Sequence, residues 1–252
     1  MPFEIIYEDS SLAVINKPPG IVVHPAPGNI QGTLVHGLLK RIKDLSAIGG
    51  RLRPGIVHRL DKGTSGVMLV AKNNQSHIFL SESLKKGEIL KEYIAVAYSK
   101  ENIESGVIDA PIARDSITRK KMKVDFKKGR DAYTTFAVLE KKDNVLLIKV
   151  RIHTGRTHQI RVHLAFKGIK IIGDSIYGIA PVQSMKLKEF ETLDIIIERP
   201  LLHAFKLGFF HPENKEWMTF IAPLPDDILG VVKRVFPASV DQLIRVDPSN
   251  SA

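Results

Sequence analysis

Residues 147–153, LIKVRIH, alternate so that Ile148, Val150 and Ile152 fall on one face of an extended chain and Lys149, Arg151 and His153 on the other. A period of two with one charged face requires a half-wetted strand, paired antiparallel in a sheet that covers a core. Other short runs rich in branched residues read the same way: 4–7, 12–16, 67–71, 93–98, 134–139 and 217–221. Helical spacing is rarer. It predicts helices over 34–45, over 75–86 with Gly87 as the stop, over 158–167 between Thr157 and Gly168, and over 227–235. Strands and helices do not alternate as βαβ units would. The expected fold is therefore α+β, a mixed and mainly antiparallel sheet with flanking helices. One domain is expected over 1–235, followed by a C-terminal tail, 236–252, that closes on the polar, turn-forming VDPSNSA.

Charge narrows the partners. The 252 residues carry 37 Lys and Arg against 27 Asp and Glu, a net +10, which favours a polyanion such as nucleic acid. No apolar run approaches the roughly 18 residues of a membrane span, and MPFEIIYEDS lacks the basic start and apolar core of a signal peptide. A soluble, cytoplasmic chain is expected. With no cysteine, a disulfide framework, a thiolate nucleophile and a thiolate zinc site are excluded. His153, His158 and His163 recur every five residues, which puts successive members on different helix faces, and no HExxH pairing occurs. Neither phosphate-loop nor dinucleotide glycine patterns are present, so no metal and no cofactor are expected. The segment 114–130 holds eight Lys or Arg against two Asp. It reads as a loop that grips phosphates through Arg119, Lys120 and Lys121, with a merely solvated basic loop as the alternative.

Two motifs carry chemistry. In HRLDKGTSG, residues 58–66, Arg59 and Asp61 share a face of an extended segment while Leu60 turns away, and Gly63 and Gly66 permit a tight turn into a buried strand. A carboxylate is thus set beside a cation on a loop held by the sheet. In RTHQIRVH, residues 156–163, Thr157 reads as a helix cap after a turn at Gly155. His158 and Arg161, three apart, share one helix face, and Ile160 and Leu164 anchor the other. Arg161 could then be aimed into a cleft, although a bland helix surface would also accommodate it.

Together with EDSSLAVINKPPGIVVHP, KEYIAVA, GDSIYG and LLHAFKLGFFHP, in this order over some 200 residues, these motifs resemble the RluA-type pseudouridine synthases, most closely the branch acting on large ribosomal RNA. Only fifteen residues precede NKPPG, so the separate RNA-binding domain that some relatives carry there is not expected. The chain departs from the family pattern at Lys170, where a proline is usual, and at Pro200 and Leu201, where a glutamine is common.

The resemblance implies an isomerase that detaches uracil from C1′ of the ribose, turns it over and rejoins it through C5, with no cofactor. Asp61 would act as nucleophile or base in its ionised form, favoured by nearby cations. Arg161 would pair with it, with Arg156 as the runner-up. Arg59 would fill the gap left by the flipped nucleotide, and Tyr93, beside the small Ala95 and Ala97, would stack on the base. His58, Lys62, Thr64 and Ser65 read as hydrogen-bond donors that shape the loop, with His58 and Lys62 on its RNA side. Lys17 and His24 are expected on the same side, and His203 buried. Large ribosomal RNA is the first expected target and transfer RNA the second, while the particular uridine is not legible; a monomer is expected. A non-catalytic RNA-binding or ribosome-assembly protein on the same fold is the alternative, and a metal-dependent phosphodiesterase a more distant one.

Overall fold

A computed structural model describes residues 3–119, 121–181, 187–190 and 196–244. The chain divides into two compact units, the first of residues 1–91, 204–223 and 247–252, the second of 92–203 and 224–246.

In the first unit, β1 (Glu4–Glu8), β2 (Leu12–Lys17) and β3 (Ser65–Ala71) form an antiparallel meander in which Leu12 faces Ala71 and Lys17 faces Gly66. All seven residues of β3 are buried, as its unbroken apolar run predicts. β3 neighbours β11 (Leu202–Phe210), whose second half pairs antiparallel with β12 (Trp217–Ile221). Helix α1 (Leu34–Arg41) buries Leu34, Val35 and Leu38. It stops short of the expected 45 because Ile42 turns extended and enters the core. Helix α2 (Asn74–Lys86) is capped at both ends: the Asn73 side chain accepts the Ser76 N–H at 2.8 Å, and Gly87 takes the left-handed conformation, φ 75°.

In the second unit, β4 (Leu90–Tyr98), which begins in the first unit, pairs antiparallel with β9 (Val145–Ile152), β9 with β8 (Tyr133–Lys142), and β8 with β5 (Ser105–Asp109). In β9 the apolar side chains are buried and Arg151 is exposed, as the alternation requires. The two-residue strand β10 (Lys170–Ile171) also pairs with β4. Strands β6 (Ile112–Arg114) and β7 (Met122–Val124) form a hairpin of their own. Helix α3 (Gln159–Phe166) carries the second motif.

The molecule is an α+β protein. Within the segment expected as a tail, 236–252, Phe236 and Leu243 are buried, Ser239 donates its N–H to Glu140 Oε2 at 2.8 Å, and Val240–Ile244 is helical, so 236–244 packs as part of the second unit. Residues 245–252 lie outside the described residues. Among the described residues, no helix is long and apolar enough to cross a membrane.

Candidate active site

The HRLD loop in the first unit is strapped at both ends. Before it, Gly55 accepts the Ala71 N–H at 2.8 Å and Ile56 bridges Val70, so the chain runs along β3. Within it, Thr64 N–H closes a turn on the Asp61 carbonyl at 3.1 Å, and Gly20 N–H of the PPG segment bonds the Lys62 carbonyl at 2.8 Å. Leu60 is buried, Asp61 half-buried and Arg59 exposed, the alternation expected of an extended segment. Gly66 is required by close approach. With φ 119°, a Cβ there would sit 2.1 Å from the Ala204 carbonyl oxygen of β11. The loop therefore presents a carboxylate and a guanidinium from a backbone that cannot drift.

In the second unit, Arg161 lies on α3 and forms a bidentate pair with Asp174, Nε to Oδ2 at 2.7 Å and Nη2 to Oδ1 at 2.8 Å. The side chains are 8% and 0% exposed, so the charges are held out of water by each other. Burial alone would raise the Asp174 carboxyl. The Arg161 guanidinium and the N–H groups of Ile176 and Tyr177 outweigh it and hold the carboxyl below the ordinary carboxylate value. The Tyr177 ring lies 5.0 Å from the guanidinium carbon, and its Oη bonds His158 Nδ1 at 2.9 Å. Gln159 is saturated: its Oε1 accepts from Thr154 Oγ1 and Arg156 N, and its Nε2 donates to the Tyr133 carbonyl and Thr134 Oγ1. His163 bridges Thr134 Oγ1 and the Ala110 carbonyl. Tyr93, opposite Val150 on β4, is 6% exposed.

Residues 11–166 match the sequence profile of the RNA pseudouridylate synthases. The chain belongs to the RNA pseudouridylate synthase family. It is 46% identical over 233 residues to an uncharacterized RNA pseudouridine synthase of Aquifex aeolicus, covering 92% of this chain and 72% of that protein. It is 41% identical over 230 residues to ribosomal large subunit pseudouridine synthase D of Zymomonas mobilis, covering 90% and 71%. The structure of human RNA pseudouridylate synthase domain containing 4 matches with a TM-score of 0.69 at 26% identity, covering 92% of each chain. The chain is thus an RNA pseudouridine synthase, an isomerase of RNA.

Several residues of this synthase stand differently from expectation. The left-handed residue that opens α3 is His158, φ 57°, rather than a turn at Gly155, and Thr157 is not the cap. His158 and Arg161 do share a face, and both converge on Tyr177. Arg156 is tied back by its Nε to the Asp131 carbonyl at 2.8 Å. Lys17, expected on the RNA side, is 0% exposed and donates to the carbonyls of Pro18 and Ile21 at 2.8 and 3.0 Å, holding the PPG turn. His24 is buried as well. The basic stretch 114–130 is a hairpin, not a plain loop: Asp115 accepts the N–H groups of Ile117 and Thr118, and Asp125 those of Lys127 and Lys128. Arg119 and Lys121 are exposed on it, as is Lys62 on its own loop, and Lys120 lies outside the described residues.

His58 accepts rather than donates. Its Nε2 takes the Leu69 N–H of β3 at 2.9 Å, and burial, with the nearby Lys91 ammonium, pushes the imidazole down to about 3. A neutral His58 fastens the loop to the sheet instead of offering charge to a phosphate. The unfolded chain protonates His58 below its ordinary 6.5, whereas the folded chain does so only near 3. Its stabilising share is complete above 6.5 and declines as pH falls toward 3. In His58→Gln, which keeps an acceptor but cannot titrate, the loss of unfolding free energy between pH 7 and 4 should be shallower in urea titrations. An unchanged slope would refute this assignment.

Asp174 escaped the sequence reading although GDSIYG was in view. The signal was local: an Asp able to capture the N–H groups two and three residues on, between glycines whose absent side chains admit close backbone contact. At Gly173, φ 80°, a Cβ would meet the Arg199 carbonyl oxygen at 1.9 Å.

Proposed function

We propose that this synthase forms pseudouridine in large-subunit ribosomal RNA, acting as a cytoplasmic monomer. Uridine and pseudouridine are isomers, so breaking C1′–N1, making C1′–C5 and moving one proton from C5 to N1 balances without a cofactor. Asp61 supplies the reactive carboxylate as nucleophile or base. Arg59, exposed on the same loop, takes the place of the flipped nucleotide at a cost of a few kcal/mol of unstacking. Tyr93 stacks on the base, and Arg161, held by Asp174, supplies positive charge to the reaction. Arg119 and Lys121 on the basic hairpin engage phosphates, as does Lys62.

The observation that carries the RNA target is the 41% identity, over 90% of this chain, to a ribosomal large subunit pseudouridine synthase. The test is chemical mapping of pseudouridine across ribosomal and transfer RNA in cells with and without the gene. One or more large-subunit sites should disappear while transfer RNA is unchanged. A loss confined to transfer RNA would reassign the target, and no lost site would overturn the reading.

A further inference from the structure

The hairpin β6–β7 has only three residues in each strand, and a two-stranded ribbon of that size is marginal on its own. It is seated on the second unit through the buried Ile112, Ala132 and Val162, through the Phe126–Phe166 ring contact and through Tyr177. Tyr177 Oη accepts the Met122 N–H of β7 at 2.7 Å and bonds His158 Nδ1, at the start of α3, at 2.9 Å. The Tyr177 ring packs with Met122 and Val124 of β7 against Ile112, Ala132 and Val162. The same ring faces the Arg161 guanidinium at 5.0 Å, and the Tyr177 N–H bonds Asp174 Oδ1 at 3.2 Å. One residue therefore touches the hairpin, the helix start and both members of the buried ion pair.

We infer that Tyr177 is a positioning residue that couples RNA docked on the basic hairpin to the Arg161–Asp174 pair. The hairpin exposes Arg119, Lys121, Lys123, Lys127 and Lys128, so polyanion binding acts on it first. Any settling of β7 on RNA is felt at the Met122 N–H and passes through the phenol to a ring lying on the guanidinium. Packed side chains and hydrogen bonds of this kind transmit coupling when both ends bias the same element. Affinity resides in the hairpin charges, and the use of that binding for reaction passes through Tyr177. This coupling rests on the functional reading above.

A double-mutant cycle tests it, combining Tyr177→Phe with the pair Lys121→Ala and Lys123→Ala. The probes are in vitro transcripts of large-subunit ribosomal RNA and of transfer RNA, using whichever the unaltered protein converts. Tyr177→Phe keeps the ring over Arg161 and removes only the hydroxyl. It should lower the single-turnover rate about tenfold while RNA affinity, by filter binding, changes less than about twofold. The hairpin pair should weaken both affinity and rate in the unaltered protein, but affinity alone when Phe stands at 177. Rate losses that simply multiply overturn the coupling and leave the isomerase reading intact, as does an unchanged rate in Tyr177→Phe. If Tyr177→Phe lowers the melting temperature and the affinity together, the residue is structural and the coupling falls. Failure of the unaltered protein to convert either transcript overturns the functional reading, and this coupling with it.

Discussion

Asp61→Asn should abolish pseudouridine formation, lowering the rate by about 1,000-fold or more, while RNA affinity stays within about threefold. The amide is nearly isosteric, and the turn closed by Thr64 N–H on the Asp61 backbone carbonyl does not involve the side chain. The straps at Gly55, Lys62 and His58 are likewise untouched, so the loop should keep its shape. What is lost is the charge and basicity of a half-buried carboxylate. Phosphate contacts made by Lys and Arg elsewhere dominate affinity and do not pass through this group. Single-turnover conversion and filter binding on the same transcript separate the two effects. Residual activity within tenfold of the unaltered protein would remove Asp61 from the chemistry and favour a non-catalytic role for the fold.

Asp174→Ala should be the most destabilising single change at the candidate site, costing about 3–5 kcal/mol of unfolding free energy, because it leaves the Arg161 guanidinium buried without its partner. It also strands the N–H groups of Ile176 and Tyr177, which Asp174 now accepts. Urea unfolding measures the loss. Removing Arg161 as well should recover part of it, since the double variant no longer buries an unpaired charge. The sign with pH follows from the direction of the shift. Asp174 is held below the ordinary carboxylate value, so its stabilising share is present above that value and is lost as pH falls through the folded one. A loss below about 1 kcal/mol in Asp174→Ala would mean that water or another group compensates the guanidinium.

Much of the framework was legible because it depends on local periodicity. Strand β9 announced itself by alternation, α2 by the stop at Gly87, and the HRLD loop by an apolar residue between two charged ones. Strand β11 was missed for the opposite reason. Eight of its nine residues are buried or half-buried, and LHAFKLGFF therefore shows no period of two. The hairpin β6–β7 was read as a loop because three-residue strands leave no pattern above the Lys and Arg that surround them.

The site divides along the same line. Residue type and spacing marked Asp61, Arg59, His158 and Arg161, since an Asp two residues after an Arg, or an Arg three after a His, constrains facing within one element. Partners across elements had no such signature. That Arg161 is held by Asp174, thirteen residues on, that Tyr177 joins a hairpin strand to that pair, and that Lys17 is buried under the carbonyls of its own turn depend on where separate elements come to rest. The chemistry available to this chain is therefore written in short-range order. The burial that makes one ion pair costly to break, and turns His58 from a donor into an acceptor, arises from desolvation that no local pattern encodes.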